Sequence, residues 1–155
     1  MVGLYLVQHG EAVPADVDPA RPLSQAGKKD VERLAEFFAR QMLAVSRILH
    51  SGKLRAQQTA ELIAYTLPGD VTLQPTSGLA PNDPVEPWIQ EFARWKDDAL
   101  IVGHLPFLGK LGALLAAGNE EASILRFRPG AAARFERADD GSWAITWMIR
   151  PEVLR

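Results

Sequence analysis

The sequence predicts an α/β fold of three layers, α/β/α, around a mostly parallel central sheet that ends in a C-terminal hairpin. Three observations predict it. Short apolar runs recur in LYLVQHGE, RILHSGKLRAQQTA and ALIVGHLP, each with a glycine beside its last residues. A segment with apolar residues at helical spacing follows each run, and strand-helix alternation of this kind builds parallel sheets. Two further strand-like runs flank Asp139-Asp140-Gly141, whose turn chemistry makes a hairpin.

The elements follow in order. Val2 to Val7 reads as the first strand, and Glu11 to Pro22, rich in Pro, Asp and Ala, reads as an active-site loop. Ser24 is the N-cap of a helix carried by Val31, Leu34, Phe38 and Leu43 and ending around Ala44. Arg47 to Ser51 is the second strand and Leu54 to Leu67 the second helix, stopped by Pro68-Gly69. Val71 to Gln74 is a short strand. Pro75, Pro81, Pro84 and Pro87 then punctuate a loop that is poor sheet material and leads into a helix from Val85 to Trp95. Ala99 to Gly103 is a strand, Phe107 to Ala117 a helix, and Ala131 to Arg137 with Trp143 to Arg150 the hairpin. Trp88, Ile89, Phe92 and Trp95 form a core stripe at helical spacing. Trp143 and Trp147 fall in phase on the last strand and read as core on one face.

At 155 residues the chain reads as one domain, residues 1–155, large enough to bury a core without staples. Cysteine is absent, which excludes disulfides and thiolate metal sites and fits a reducing cytoplasm. A formal charge of −2, with dispersed lysines and arginines, gives no general attraction for nucleic acid. Arg126, Arg128 and Arg134 are a local basic cluster that reads as solvated. No segment has the length or flanks of a membrane span. The expectation is a cytoplasmic protein, monomeric or a weak dimer.

The chemistry lies at the strand ends. His9, Ser51 and His104 each close an apolar run, and the carboxyl ends of strands in an open α/β sheet form the ligand crevice. Arg55 lies one helical turn beyond Ser51, so a guanidinium reaches the same edge. Two imidazoles and an arginine beside a glycine turn suit a phosphoryl group, with transfer to a histidine as the simplest chemistry. The attacking nitrogen must be neutral, while the other ring nitrogen donates a hydrogen bond that fixes the tautomer. A carbonyl in the turn at Gly10 can hold the ring, and Arg21 from the loop adds a cation. No metal or cofactor is needed. His50 points away from the crevice if Ser51 faces it, and Ser51 reads as an N-cap that can also donate to phosphate.

These segments resemble the histidine phosphatase superfamily, whose signature is an Arg-His-Gly turn after strand one, a Ser-x-x-x-Arg-Ala-x-Gln-Thr segment and a late Gly-His. The chain carries Gln8-His9-Gly10, then Ser51 through Arg55-Ala56-Gln57-Gln58-Thr59, then Gly103-His104-Leu105-Pro106. Its size, the Arg21-Pro22-Leu23-Ser24 stretch and the late His-x-Pro make it most similar to the short SixA-type phosphohistidine phosphatases. The resemblance implies His9 as phospho-accepting nucleophile, Arg55 and His104 as phosphate pocket and Arg21 as a further contact. The implied substrate is a phosphohistidine-containing phosphotransfer protein.

The chain departs from that pattern at Gln8, which stands where the family has arginine and offers an amide without charge or fork. Loss of one preorganised donor typically costs about 3 kcal/mol in the transition state. Lys53, two residues from Ser51, and Arg21 are the candidates for a compensating cation at the same edge. Glu11, Asp18, Asp83 and Glu86 are the carboxylates from which a general acid would come. Two rival readings remain open: a phosphomonoesterase for a small metabolite, with a closed cavity lined by the Pro75 to Pro87 loop, and a pseudo-phosphatase that binds a phosphorylated protein because of Gln8.

Overall fold

A computed structural model describes residues 1–155. Its elements are β1 (Val2–Gln8), α1 (Gln25–Arg40), β2 (Arg47–His50), α2 (Leu54–Thr66), β3 (Thr72–Pro75), α3 (Glu86–Arg94), β4 (Ala99–Gly103), α4 (Phe107–Ala117), β5 (Ala132–Arg137), β6 (Trp143–Ile149) and α5 (Pro151–Leu154). The sheet runs β3-β2-β4-β1-β5-β6. β3, β2, β4 and β1 are mutually parallel, and β5 runs against both β1 and β6, so β5 alone points the other way. The expected α/β architecture with its mostly parallel sheet and hairpin is the observed one.

Continuous apolar strands follow from burial of both sheet faces. Leu4 and Leu6 of β1 join Ile101, Phe92, Phe107 and Leu111 in one core, on the side of α3 and α4. Tyr5 and Val7, alternating with them, join Val102, Val31, Phe38 and Ile63 on the side of α1 and α2. Fully burying side chains of this size contributes about 1.5–3 kcal/mol each. Trp88, Phe92 and Trp95 form the expected stripe, with Ile89 packed against it.

Three local expectations change. α1 stops at Arg40, short of Ala44, because Met42 takes a left-handed φ of 54° and the Leu43 N–H folds back onto the Phe38 carbonyl. Leu43 is still buried, but on the far side of that turn. Trp143 and Trp147 do not share a face: a bulge opposite Arg134/Phe135 inserts a residue into β6 and reverses its alternation. Trp143 therefore packs in the α3/α4 core and Trp147 in the α1/α2 core. The sequence reading also lacked α5, whose Pro151 packs at Gly130 and which leads to Arg155, bound bidentately to buried Asp30 at 3.1 and 2.8 Å.

The position of α1 is set by backbone contact. A Cβ at Gly10 would lie 2.7 Å from Val31 Cγ2 and 3.0 Å from the Gly27 carbonyl oxygen, and a Cβ at Gly27 would overlap the Glu11 carbonyl. The turn after β1 thus rests on the first turn of α1, where the Ser24 hydroxyl caps the Gly27 N–H at 3.0 Å. Gly27→Ala is expected to destabilise the chain by at least about 2 kcal/mol through overpacking. Urea unfolding measures it, and an unchanged midpoint would show that α1 is free to shift.

Candidate active site

Parallel register brings the three strand ends together. β4 lies between β2 and β1, with His50 opposite Val102 and Gln8 opposite Gly103. The residues that follow, Ser51, His104 and His9, emerge side by side at the carboxyl edge. Ser51 Oγ lies 2.6 Å from His104 Nε2, and the rings of His9 and His104 are 5.0 Å apart between centroids. α2 and α4 both begin at this edge, so two helix N-termini, which favour anions, face it.

His9 is buried, and its Nδ1 lies 2.7 Å from the Gly10 carbonyl oxygen. A carbonyl only accepts, so the neutral ring carries its proton on Nδ1 and keeps the Nε2 lone pair free. The turn is fixed from three sides. The Gly103 carbonyl accepts the His9 N–H at 3.1 Å, Thr59 Oγ1 accepts the Gly10 N–H at 3.0 Å, and the Gly130 N–H is shared by the Gln8 and His9 carbonyls at 3.1 Å each. Thr59 in turn donates to the Arg55 carbonyl at 2.8 Å, tying the His9 turn to α2.

The local charge is positive. Burial first, then Arg55 and Arg21, bring the His9 pKa down to about 4 against an opposing contribution from the Gly10 carbonyl. Burial, then His9, Arg55, Lys53 and Arg21, bring His104 down to about 3. Both rings are therefore neutral at physiological pH. Burial and then Arg21 also lower the Arg55 pKa, although a guanidinium stays charged. Arg21 holds a left-handed φ of 50°, and its Nε donates to the Val13 carbonyl at 3.1 Å, which braces the Glu11 to Pro22 loop across itself. That loop is closed by Val13 N–H to the Pro22 carbonyl at 2.8 Å and by Gln58 Oε1, which accepts the Leu23 N–H at 2.7 Å.

The other sequence candidates have definite places. Gln8 is buried, and its Oε1 has no partner within the chain, as is also true of Arg55 Nε and His104 Nδ1. Ser51 is not the N-cap of α2; Lys53 is, because the chain stays extended through Lys53, and the Ser51 hydroxyl instead pairs with His104 and accepts the Lys53 N–H at 3.3 Å. The Lys53 side chain is exposed. His50 Nδ1 accepts the Gly52 N–H at 3.1 Å, on the side of Gln57 and Glu61. Arg128 pairs with Glu152, and Arg134 with Glu136, Tyr5 and Thr146, so two of the three arginines of the basic cluster are engaged within the chain while Arg126 is exposed, as expected of a solvated residue. Sequence reasoning passed over Thr59, Gln58 and Gly130. The first two sat inside the quoted Arg-Ala-x-Gln-Thr segment, and their spacing from Arg55 on one helix was the available signal.

Two outcomes follow from this geometry. Thr59→Val leaves the Gly10 N–H buried and unpaired, which costs about 1–3 kcal/mol in thermal or urea unfolding; no change would mean the turn is held without it. Because both histidines have folded pKa values below the ordinary 6.5, the folded chain binds fewer protons than the unfolded one between about 4 and 6.5, and stability falls as pH drops through that window. A bound dianion favours the imidazolium forms. Sulfate is therefore expected to raise the melting temperature more near about pH 5 than near about pH 8, and an equal effect at both would remove the histidines from the anion site.

Comparison with known proteins bears on the family and the fold. The sequence profile of the histidine phosphatase superfamily (branch 1) matches residues 4–80. An uncharacterized protein of Picosynechococcus sp. is 32% identical over 163 residues, covering 94% of this chain and 98% of that one. Phosphohistidine phosphatase SixA of Escherichia coli (strain K12) is 27% identical over 159 residues, covering 98% and 96%. Among solved structures, that of the protein histidine phosphatase SixA complexed with tungstate superposes with a TM-score of 0.84 at 26% identity, covering 99% of both chains. The chain belongs to the histidine phosphatase superfamily.

Proposed function

We propose that the chain is a metal-independent phosphatase that removes the phosphoryl group from phosphohistidine on a partner protein by way of a phospho-His9 intermediate. The observation that carries this is the His9 turn: a neutral imidazole with Nδ1–H committed to the Gly10 carbonyl and Nε2 free, under the influence of Arg55 and Arg21. His9 Nε2 attacks phosphorus, and the Nδ1 bond stabilises the charge that develops on the ring. Arg55 and His104 hold the phosphoryl oxygens, with Arg21, Lys53, Ser51 and the Gln8 amide as further donors and Gly10 as the close backbone approach. Water then attacks phospho-His9 and restores the ring.

The substrate class follows from the leaving group. Protonated on its far nitrogen, the imidazole of phosphohistidine departs neutral without a residue to protonate it, unlike an alkoxide. Likeness to proteins named for phosphohistidine phosphatase activity supports this reading. The Pro75 to Pro87 loop lines a cavity of about 330 Å³ with Arg47, Leu49, Trp88, Glu91 and Trp95. That cavity includes none of His9, Arg55 and His104, so it does not serve as the closed metabolite pocket that the phosphomonoesterase reading expects. A cytoplasmic phosphotransfer protein is the partner this reading names; no helix of the chain is long and apolar enough to cross a membrane.

Gln8 favours one second reading, a protein that binds phosphohistidine partners with little turnover, since one fixed cation is replaced by a neutral amide. Phosphate release from a phosphohistidine protein separates the two. Wild type is expected to turn over and His9→Ala to lose turnover while retaining binding; binding without release in both would favour the second reading. Gln8→Arg is expected to raise kcat/KM by roughly ten- to a thousandfold if the missing donor limits the rate. No gain would show that Arg21 and Lys53 already compensate.

A further inference from the structure

The carboxylates nearest the site in sequence are all directed elsewhere. Glu11, two residues beyond His9, takes the Ser24 hydroxyl at 2.9 Å at the start of α1. Asp18 Oδ1 accepts the Ala20 N–H at 3.0 Å, and Asp83 Oδ2 accepts the Ala80 N–H at 2.9 Å within its own turn. Glu86 is exposed on the first turn of α3, and Glu61 of α2 lies with His50 rather than His104. The ring hydrogen bonds of His9 and His104 go to the Gly10 carbonyl and the Ser51 hydroxyl, none to a carboxylate, and the cations Arg55, Arg21 and Lys53 act on these rings. The crevice therefore holds a nucleophile and cations but no acid for a departing group.

Such a site discriminates by leaving group. An alkoxide needs a proton that no residue supplies, whereas a carboxylate departs as a stable anion and is attracted to the cations it leaves among. We propose that this site also hydrolyses acyl phosphates, the mixed anhydrides of carboxylic and phosphoric acids, with Lys53 and Arg21 stabilising the departing carboxylate. The inference rests on His9 being the nucleophile of the reading above.

The steps balance without a further reactant. The Nε2 lone pair of His9 forms the N–P bond as the P–O bond to the acyl group breaks, its electron pair leaving on the carboxylate, and Nδ1 keeps its proton against the Gly10 carbonyl. Water then forms a P–O bond while the N–P pair returns to Nε2, giving inorganic phosphate and releasing one proton to solvent. The acid that is absent is typically worth about 10²–10⁴-fold for leaving groups that require it.

The test measures kcat/KM for acetyl phosphate, N-phosphoimidazole and glycerol 2-phosphate, each without protein docking contacts, on wild type, His9→Ala and Lys53→Ala, alongside a phosphohistidine protein. Acetyl phosphate is expected within about tenfold of N-phosphoimidazole, glycerol 2-phosphate about 10²–10⁴-fold lower, and every activity lost in His9→Ala. Lys53→Ala is expected to reduce acetyl phosphate turnover at least about threefold more than N-phosphoimidazole turnover; an unchanged ratio would overturn the role given to Lys53. Comparable cleavage of glycerol 2-phosphate would overturn the leaving-group argument. Hydrolysis of the phosphohistidine protein with acetyl phosphate left at the His9→Ala rate would overturn this inference alone, and failure with both would overturn the parent reading as well.

Discussion

The parallel register of β2, β4 and β1 is the constraint on which the site depends. With β4 central, neighbouring strands about 4.8 Å apart hold Ser51, His104 and His9 at hydrogen-bonding and ring-contact range without any loop having to fold back over the sheet. A shift of one residue in either pairing would carry a whole apolar set to the opposite face, so the two cores that bury Leu4 and Leu6 on one side and Tyr5 and Val7 on the other also fix the edge where these three residues meet. Packing thus specifies the geometry of the site, and the contact of Gly10 with the first turn of α1 transmits it to the His9 turn.

Within that frame, electrostatics set the protonation states. Burial and surrounding cations both disfavour imidazolium, so the His9 ring is neutral and its tautomer is decided by one carbonyl. The same cations stand ready for a phosphoryl dianion, which reverses the balance when it enters by favouring the charged rings. Gln8 is adjacent to His9 in sequence yet contributes no charge, leaving Arg55 and Arg21 as cations acting on both histidines and exposed Lys53 acting on His104. For the proposed function the question is how far Arg21 and Lys53 replace an arginine at position 8.

Most of the scaffold was legible because both its signals are short-range. Apolar runs ending in His9, Ser51 and His104 announced the strands, and Ser24 announced its helix. What stayed hidden depends on partners distant in sequence or on single backbone angles. The bulge that separates Trp143 from Trp147 is a property of the β5–β6 pairing, and the end of α1 is a left-handed turn at Met42, a residue with no preference for it. Ser51 had the composition of an N-cap, but its hydroxyl is claimed by His104, 53 positions away. Thr59 and the Asp30–Arg155 pair are likewise long-range: nothing near either residue in sequence indicates that Thr59 receives the Gly10 N–H or that Arg155 reaches α1.

The account stands or falls on His9 carrying the phosphoryl group. The most direct measurement is rapid acid-free quenching of the chain during turnover of a phosphohistidine protein, followed by mass spectrometry of the peptide that contains Gln8-His9-Gly10. An acid-labile phosphoryl adduct on His9, formed and lost on the timescale of turnover and absent from the His9→Ala chain, is the predicted result. Phosphate release with no adduct on that peptide, or with the adduct on another residue, would contradict it.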